Sequence, residues 1–172
     1  HRSHRLLASP LFLAVVLALA LPAVAQDSPS FGIVIHGGAG TIDRSKMTPE
    51  REQEVRETLG RALDAGYAVL EGGGTAMDAV EVTIVLLEDS PLFNAGKGAV
   101  FTHAGTNEMD ASIMDGATGE AGAVGGVTRV RNPILAARAV MSRTPHVLLV
   151  GPGADHFAEE AGLAMEGPEY FR

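Results

Sequence analysis

His36-Gly37-Gly38-Ala39-Gly40 is the first run in the sequence whose residue types suggest chemistry. Consecutive glycines let a backbone approach a ligand closely and turn N–H groups towards an anion or oxyanion. A tight turn whose histidine satisfies buried neighbours explains the run equally well. A second candidate is residues 87–98, Leu-Glu-Asp-Ser-Pro-Leu-Phe-Asn-Ala-Gly-Lys-Gly. Such a proline- and glycine-containing loop could curl several main-chain carbonyls around a hard cation without any carboxylate ligand, although a plain connection is the commoner use of a loop. The third is Met109-Asp110-Ala111-Ser112-Ile113-Met114-Asp115-Gly116, with two carboxylates near a strand end. General acid–base work would need both on one side, and residues at this odd spacing face opposite sides of a strand. Asp115-Gly116 reads better as a turn.

Several chemistries lack their residues. The 6 histidines are scattered, with no His-Glu-x-x-His pattern, so zinc has little support. A His-Gly-Gly run also occurs as an oxyanion loop in serine esterases, but these need a Gly-x-Ser-x-Gly elbow that the sequence does not contain. With 13 basic against 21 acidic residues the formal net charge is −8, which disfavours nucleic acid and anionic membranes as partners. There is no cysteine and hence no disulfide, while 21 glycines in 172 residues exceed the usual share of about 7%.

The elements that must position these runs begin after a leader. Arg2 and Arg5 precede an apolar run over 6–21 that ends at Pro22 and Ala23-Val24-Ala25, the pattern of a cleavable export signal. Residues 1–25 are therefore expected to be a signal peptide directing the chain to the periplasm or outside the cell. The run is shorter than the roughly 20 residues of a membrane-spanning helix, so no stable anchor is expected. Residues 26–30 form a short polar linker, and 31–172 one domain. In it, 31–35 is predicted to be a buried strand entering the glycine run. Apolar residues at helical spacing predict an amphipathic helix over 49–71, stopped by Gly72-Gly73-Gly74. A second helix begins after Thr75 in a capping box with Asp78, its packed face formed by Ala76, Ala79, Val80, Thr83, Ile84 and Leu87. Strands are predicted over 109–114, 121–130 and 146–150, the second so rich in glycine that something should pack closely on its backbone. Helices are predicted after Asn132-Pro133 and over 154–162. Residues 163–172 carry little signal.

Taken together and in order, these blocks resemble the plant-type isoaspartyl peptidase/L-asparaginase family of N-terminal-nucleophile hydrolases. The resemblance rests on His-Gly-Gly-Ala-Gly at 36, Thr-Ala-Met-Asp-Ala-Val at 75, Pro-Leu-Phe-Asn-Ala-Gly-Lys-Gly at 91, Met-Asp-Ala-Ser-Ile-Met-Asp-Gly at 109, Arg-Asn-Pro-Ile-Leu-Ala-Ala-Arg at 131 and Thr-Pro-His-Val-Leu-Leu-Val-Gly-Pro-Gly-Ala at 144. It implies an α+β fold, the αββα four-layer sandwich, of which 31–172 would be the incomplete α-subunit region. It implies a precursor that cuts itself before a threonine, whose freed amine and hydroxyl then hydrolyse L-asparagine or β-aspartyl peptides. That threonine lies in a Gly-Thr-Val-Gly block absent from 165–172, so no catalytic residue is expected within this sequence, which alone is expected to be inactive. The expected partners are a small-molecule substrate, the chain's own β subunit and a second αβ unit in a dimer. By the same resemblance, His36, Gly37, Gly38, Ala39 and Gly40 form a loop that helps order the nucleophile, and Asn94 lies near the active centre. Main-chain carbonyls of Leu87, Glu88, Ser90, Phe93, Ala95 and Lys97 would bind a structural sodium, and no organic cofactor is implied. Glycosylasparaginase of the same superfamily, or a non-catalytic exported remnant, are the alternatives.

Overall fold

The computed structural model describes residues 30–38 and 47–171. The predicted signal peptide, all but the last residue of the linker, and Ala39 and Gly40 lie outside the described residues.

Helix α1 spans Pro49–Glu71. Thr48 caps it by accepting the Arg51 N–H at 3.2 Å, Pro49 takes the first helical position, and Glu50 and Glu52 complement the positive end of the helix dipole. Helix α2, Ala76–Glu88, starts on the predicted cap, with Thr75 Oγ1 accepting the Asp78 N–H at 3.1 Å. The two helices cross at Gly66, where an added Cβ would lie 2.6 Å from Ile33 Cδ1 and would strike the Thr83 hydroxyl. Thr83 Oγ1 lies 2.7 Å from the Ala79 carbonyl and 3.2 Å from that of Ala62, so this buried hydroxyl is satisfied at the crossing. The packed stripe of α2 is narrower than expected. Ala79, Thr83, Leu87 and Glu88 are buried, whereas Ala76 and Val80 face outward because α1 covers the other flank.

Strands β1, Met109–Met114, and β2, Ala121–Val127, form an antiparallel hairpin with a bulge between Met109 and Ala111. Helix α3, Pro133–Arg143, crosses back so that β3, Leu148–Val150, lies parallel to β2. Helix α4, Gly151–Glu160, follows at once. The result is a mixed α/β chain with a three-stranded sheet. The expected close approach to the β2 backbone is supplied by α3: a Cβ at Gly122 would sit 2.6 Å from Met141 Cβ.

Four element expectations are corrected. Residues 31–35 alternate in burial but join no ladder among the described residues, so the predicted strand is not seen there. β2 stops at Val127 because the next amides leave the ladder: Thr128 and Arg129 donate to the buried Asp155 carboxylate at 3.0 and 3.1 Å. β3 starts only at Leu148, since the His146 N–H is taken locally by Thr144 Oγ1 at 3.0 Å. α4 begins three residues early, at Gly151, because glycine accepts the φ of +56° at the turn and Pro152 suits a first helical turn.

The tail is the largest surprise. Met165 bridges Val130, and Phe171 is 2% exposed in the same cluster as Val124, Val127, Val130 and Val140. A second cluster, built on Ala62, Leu87 and Phe93 with Ile35 and Leu59 against it, supports the segments that carry the candidate site.

Candidate functional site

Two of the three sequence candidates converge. His36, Gly37 and Gly38 form one wall of a cleft of about 300 Å³, and Leu87, Phe93, Asn94 and Ala95 form the other, with Ile84 between the helices and the loop. The approach is close: a Cβ on Gly37 would lie 3.0 Å from Leu59 Cδ2 and 3.4 Å from Phe93 Cε1. Gly38 adopts φ +105°, a conformation open only to glycine at low cost. Its N–H donates to His36 Nδ1 at 3.2 Å, which leaves the imidazole proton on Nε2. That amide is therefore committed to the histidine and is not a free oxyanion donor. The Asp110/Asp115 pair is elsewhere. Asp110 accepts the Gly126 N–H at 2.8 Å beside the bulge, and Asp115 accepts the Ala117 N–H at 2.9 Å in the turn.

Asn94 Oδ1 accepts the Val100 N–H at 2.9 Å and so closes the loop on itself. Its amide nitrogen makes no hydrogen bond among the described residues, leaving a donor at the cleft. Asn107 continues the closure, its buried Nδ2 donating to the Ala99 carbonyl at 2.7 Å. The six candidate cation carbonyls differ in their commitments. Those of Leu87, Phe93 and Ala95 each accept one loop N–H, at 3.2, 2.9 and 3.1 Å. Those of Glu88, Ser90 and Lys97 take no backbone N–H among the described residues. A Cβ on Gly96 would collide with the Glu88 carbonyl and one on Gly98 with that of Phe93, so the loop closes on its own oxygens. The Lys97 ammonium lies over the Tyr170 ring, 5.3 Å from the centroid. Each of the six carbonyls keeps at least one lone pair, so hydrogen bonding excludes none of them as a ligand to a hard cation.

The asparaginase family model matches residues 29–172. The chain belongs to the asparaginase family. It is 52% identical over 139 residues to an isoaspartyl peptidase of Salmonella typhimurium, covering 81% of this chain and 44% of the relative. A plant-type L-asparaginase of Pyrococcus abyssi is 52% identical over 138 residues, covering 80% and 42%. An isoaspartyl peptidase/L-asparaginase of Mus musculus is 46% identical over 145 residues, covering 84% and 43%. The chain thus spans less than half the length of the relatives it matches.

Sequence reasoning missed the residues that hold this asparaginase-family loop in place. Glu88 is 3% exposed, and its Oε1 accepts the Ile134 N–H at 3.0 Å. It thereby caps α3 from another element, while Asn132, at the N-cap position, makes no side-chain cap bond among the described residues. Burial raises its carboxyl to about 8, against the lowering effect of that N–H, so it is protonated at neutral pH; Oε2 has no partner among the described residues. Asn132 instead donates to Asp89 Oδ1 at 3.2 Å, alongside Arg131 Nε and the Tyr170 hydroxyl, both at 3.1 Å. Burial pushes Asp89 up, but Arg131 and Asn132 outweigh it and hold the carboxyl below its ordinary value. Burial, then the Asp89 charge, raises the Tyr170 hydroxyl, which stays a donor at neutral pH. Local sequence offered no sign of these contacts because they join residues 42 to 81 positions apart.

Proposed function

We propose that this chain is the amino-terminal portion of a self-processing amidohydrolase that hydrolyses L-asparagine, β-aspartyl peptides or both. The observation that carries the proposal is the cleft itself. It joins the His36–Gly38 run to Asn94 in a chain about half identical to isoaspartyl peptidases and asparaginases. In the proposed reaction a threonine at the new amino terminus of the downstream β subunit is the nucleophile. Its amine takes the proton from its own hydroxyl, whose oxygen attacks the amide carbon. Ammonia, or the amine of a β-peptide, leaves with that proton, and water then cleaves the acyl ester to release aspartate and regenerate threonine. His36 to Gly38 form the wall beside that nucleophile, and the free Asn94 amide donates to the reacting group or its oxyanion.

The fuller architecture belongs to the same proposal. Met114, Leu148 and Val150 are 64%, 55% and 62% exposed on the sheet, and a four-layer sandwich completed by β-subunit strands would cover them. The assembled enzyme is an αβ unit that pairs into a dimer. The 87–98 loop binds sodium through the carbonyls of Leu87, Glu88, Ser90, Phe93, Ala95 and Lys97, which fixes the loop and takes no part in bond cleavage. The leader over 1–25, with its arginines, apolar run and Ala23-Val24-Ala25, directs export.

The test is ammonia release from L-asparagine, and amine release from a β-aspartyl dipeptide, by the purified product of the uninterrupted gene. Turnover of either substrate supports the proposal. Turnover of neither, by protein that has split into two chains, counts against it.

A further inference from the structure

Tyr170 touches the cleft loop at both shoulders. Its hydroxyl donates to Asp89 Oδ1 at 3.1 Å, and Lys97 Nζ lies 5.3 Å from its ring centroid. Between those two residues the loop carries Phe93 and Asn94, which line the cleft. Arg131 reinforces the clip, since its guanidinium carbon lies 5.2 Å from the same ring while Nε binds the same Asp89 oxygen at 3.1 Å.

The support behind Tyr170 is firm. Phe171 is 2% exposed and meets the Tyr170 ring edge-on with centroids 5.1 Å apart. The chain leading to it is held by Glu166 N–H to the Arg129 carbonyl at 2.7 Å and Arg131 N–H to the Ala164 carbonyl at 3.0 Å. A side chain fixed at its base, hydrogen-bonded to one end of a loop and in cation–π contact with the other, limits where the middle of that loop can go.

We propose that Tyr170 is a positioning residue: by clipping Asp89 and Lys97 it holds the Phe93–Asn94 wall of the cleft in a single arrangement. It touches no reacting atom and acts through the loop. The activity arm of the test rests on the proposed amidohydrolase function, whereas the exchange arm does not.

Hydrogen exchange followed by mass spectrometry, on the uninterrupted gene product, compares the parent with Tyr170→Phe and Tyr170→Ala. Tyr170→Phe removes only the hydroxyl. Exchange over 89–98 is expected to quicken about fivefold to tenfold, the scale of one charge-assisted hydrogen bond, with 109–127 unchanged. Tyr170→Ala also removes the surface under Lys97 and Arg131 and should act more strongly on the same peptides. Unchanged exchange over 89–98 in both variants overturns the proposal, as does an equal quickening of every peptide, which would mark a role in general stability alone. In the activity arm, appearance of the threonine terminus should slow severalfold in Tyr170→Phe. A parent that never cuts itself would sink the amidohydrolase reading, and the exchange comparison would still decide the role of Tyr170.

Discussion

The two walls of the cleft are held by opposite means. Among the described residues, the fixings on the 31–38 side are the Gly38 N–H on His36 Nδ1 and packing: Gly37 against Leu59, Ile33 and Ile35 against the α1–α2 pair, and Phe31 against Tyr67 with ring centroids 5.4 Å apart. On the 87–98 side the fixings come from across the chain, from Arg131, Asn132, Ile134 and Tyr170. The 87–98 side is thus the fixed wall, tied by polar bonds to remote elements, whereas the 31–38 side is held mainly by packing. Contact with many remote groups makes a loop cooperative with the core, while local bonds can break singly.

The largest effect expected from breaking this contrast is on the fixed wall. Gly98→Ala drives a methyl group into the Phe93 carbonyl and to 3.0 Å from Pro91, so a loss of roughly 3 kcal/mol or more is expected, read as lost soluble yield or a lowered Tm. Next comes Glu88. Glu88→Ala leaves the Ile134 N–H unsatisfied and should cost about 1–3 kcal/mol in urea unfolding, whereas Glu88→Gln keeps a neutral acceptor and should cost less. The pair also differs in pH response. The Glu88 carboxyl holds its proton up to about 8 in the folded chain and only to 4.5 when unfolded, so between those values the folded state binds more protons and stability falls as pH rises. In sodium-free buffer Tm should therefore decline across this window in the parent, and decline less in Glu88→Gln.

On the 31–38 wall the same kind of change should do less. A methyl on Gly38 meets no atom within 4 Å among the described residues, so Gly38→Ala is expected to cost mainly the strain of φ +105°, about 1–2 kcal/mol. A loss equal to that of Gly98→Ala would erase the contrast between the walls. The smallest effect on stability separates folding from function. Asn94→Asp retains an oxygen for the Val100 N–H but loses the free amide donor, so its Tm should stay within about 0.5 kcal/mol equivalents of the parent while ammonia release collapses. Normal turnover by that variant would remove Asn94 from the chemistry.

Much of this arrangement was legible in the sequence wherever the cause was local. Thr75 announced a helix start, the glycine triplet at 72–74 announced a stop, and the glycines of β2 announced a close approach, which α3 supplies. The Asp115-Gly116 turn was equally plain. Other features were set by groups distant in sequence and left no local mark. Asn132 looks like a helix cap by position, yet Glu88 does the capping because the C-terminus of α2 brings a buried carboxyl to the start of α3. Residues 31–35 have strand composition, but a strand exists only with a partner, and pairing is not a property of five residues. Tyr170 and Phe171 lie in a stretch without periodicity, and their burial comes from the core formed by β2 and α3. For the site, the family blocks offered the candidates. Only the fold showed that His36, Gly37 and Gly38 share one cleft with Asn94 and that the Lys97 ammonium lies over the Tyr170 ring.

The most direct test of the central claim, a self-processing amidohydrolase whose cleft is assembled here, is intact-mass measurement of the uninterrupted gene product during incubation. The account predicts a single precursor that converts into two chains, the second beginning with threonine. A precursor that remains whole, with correct folding shown by cooperative melting, would contradict it.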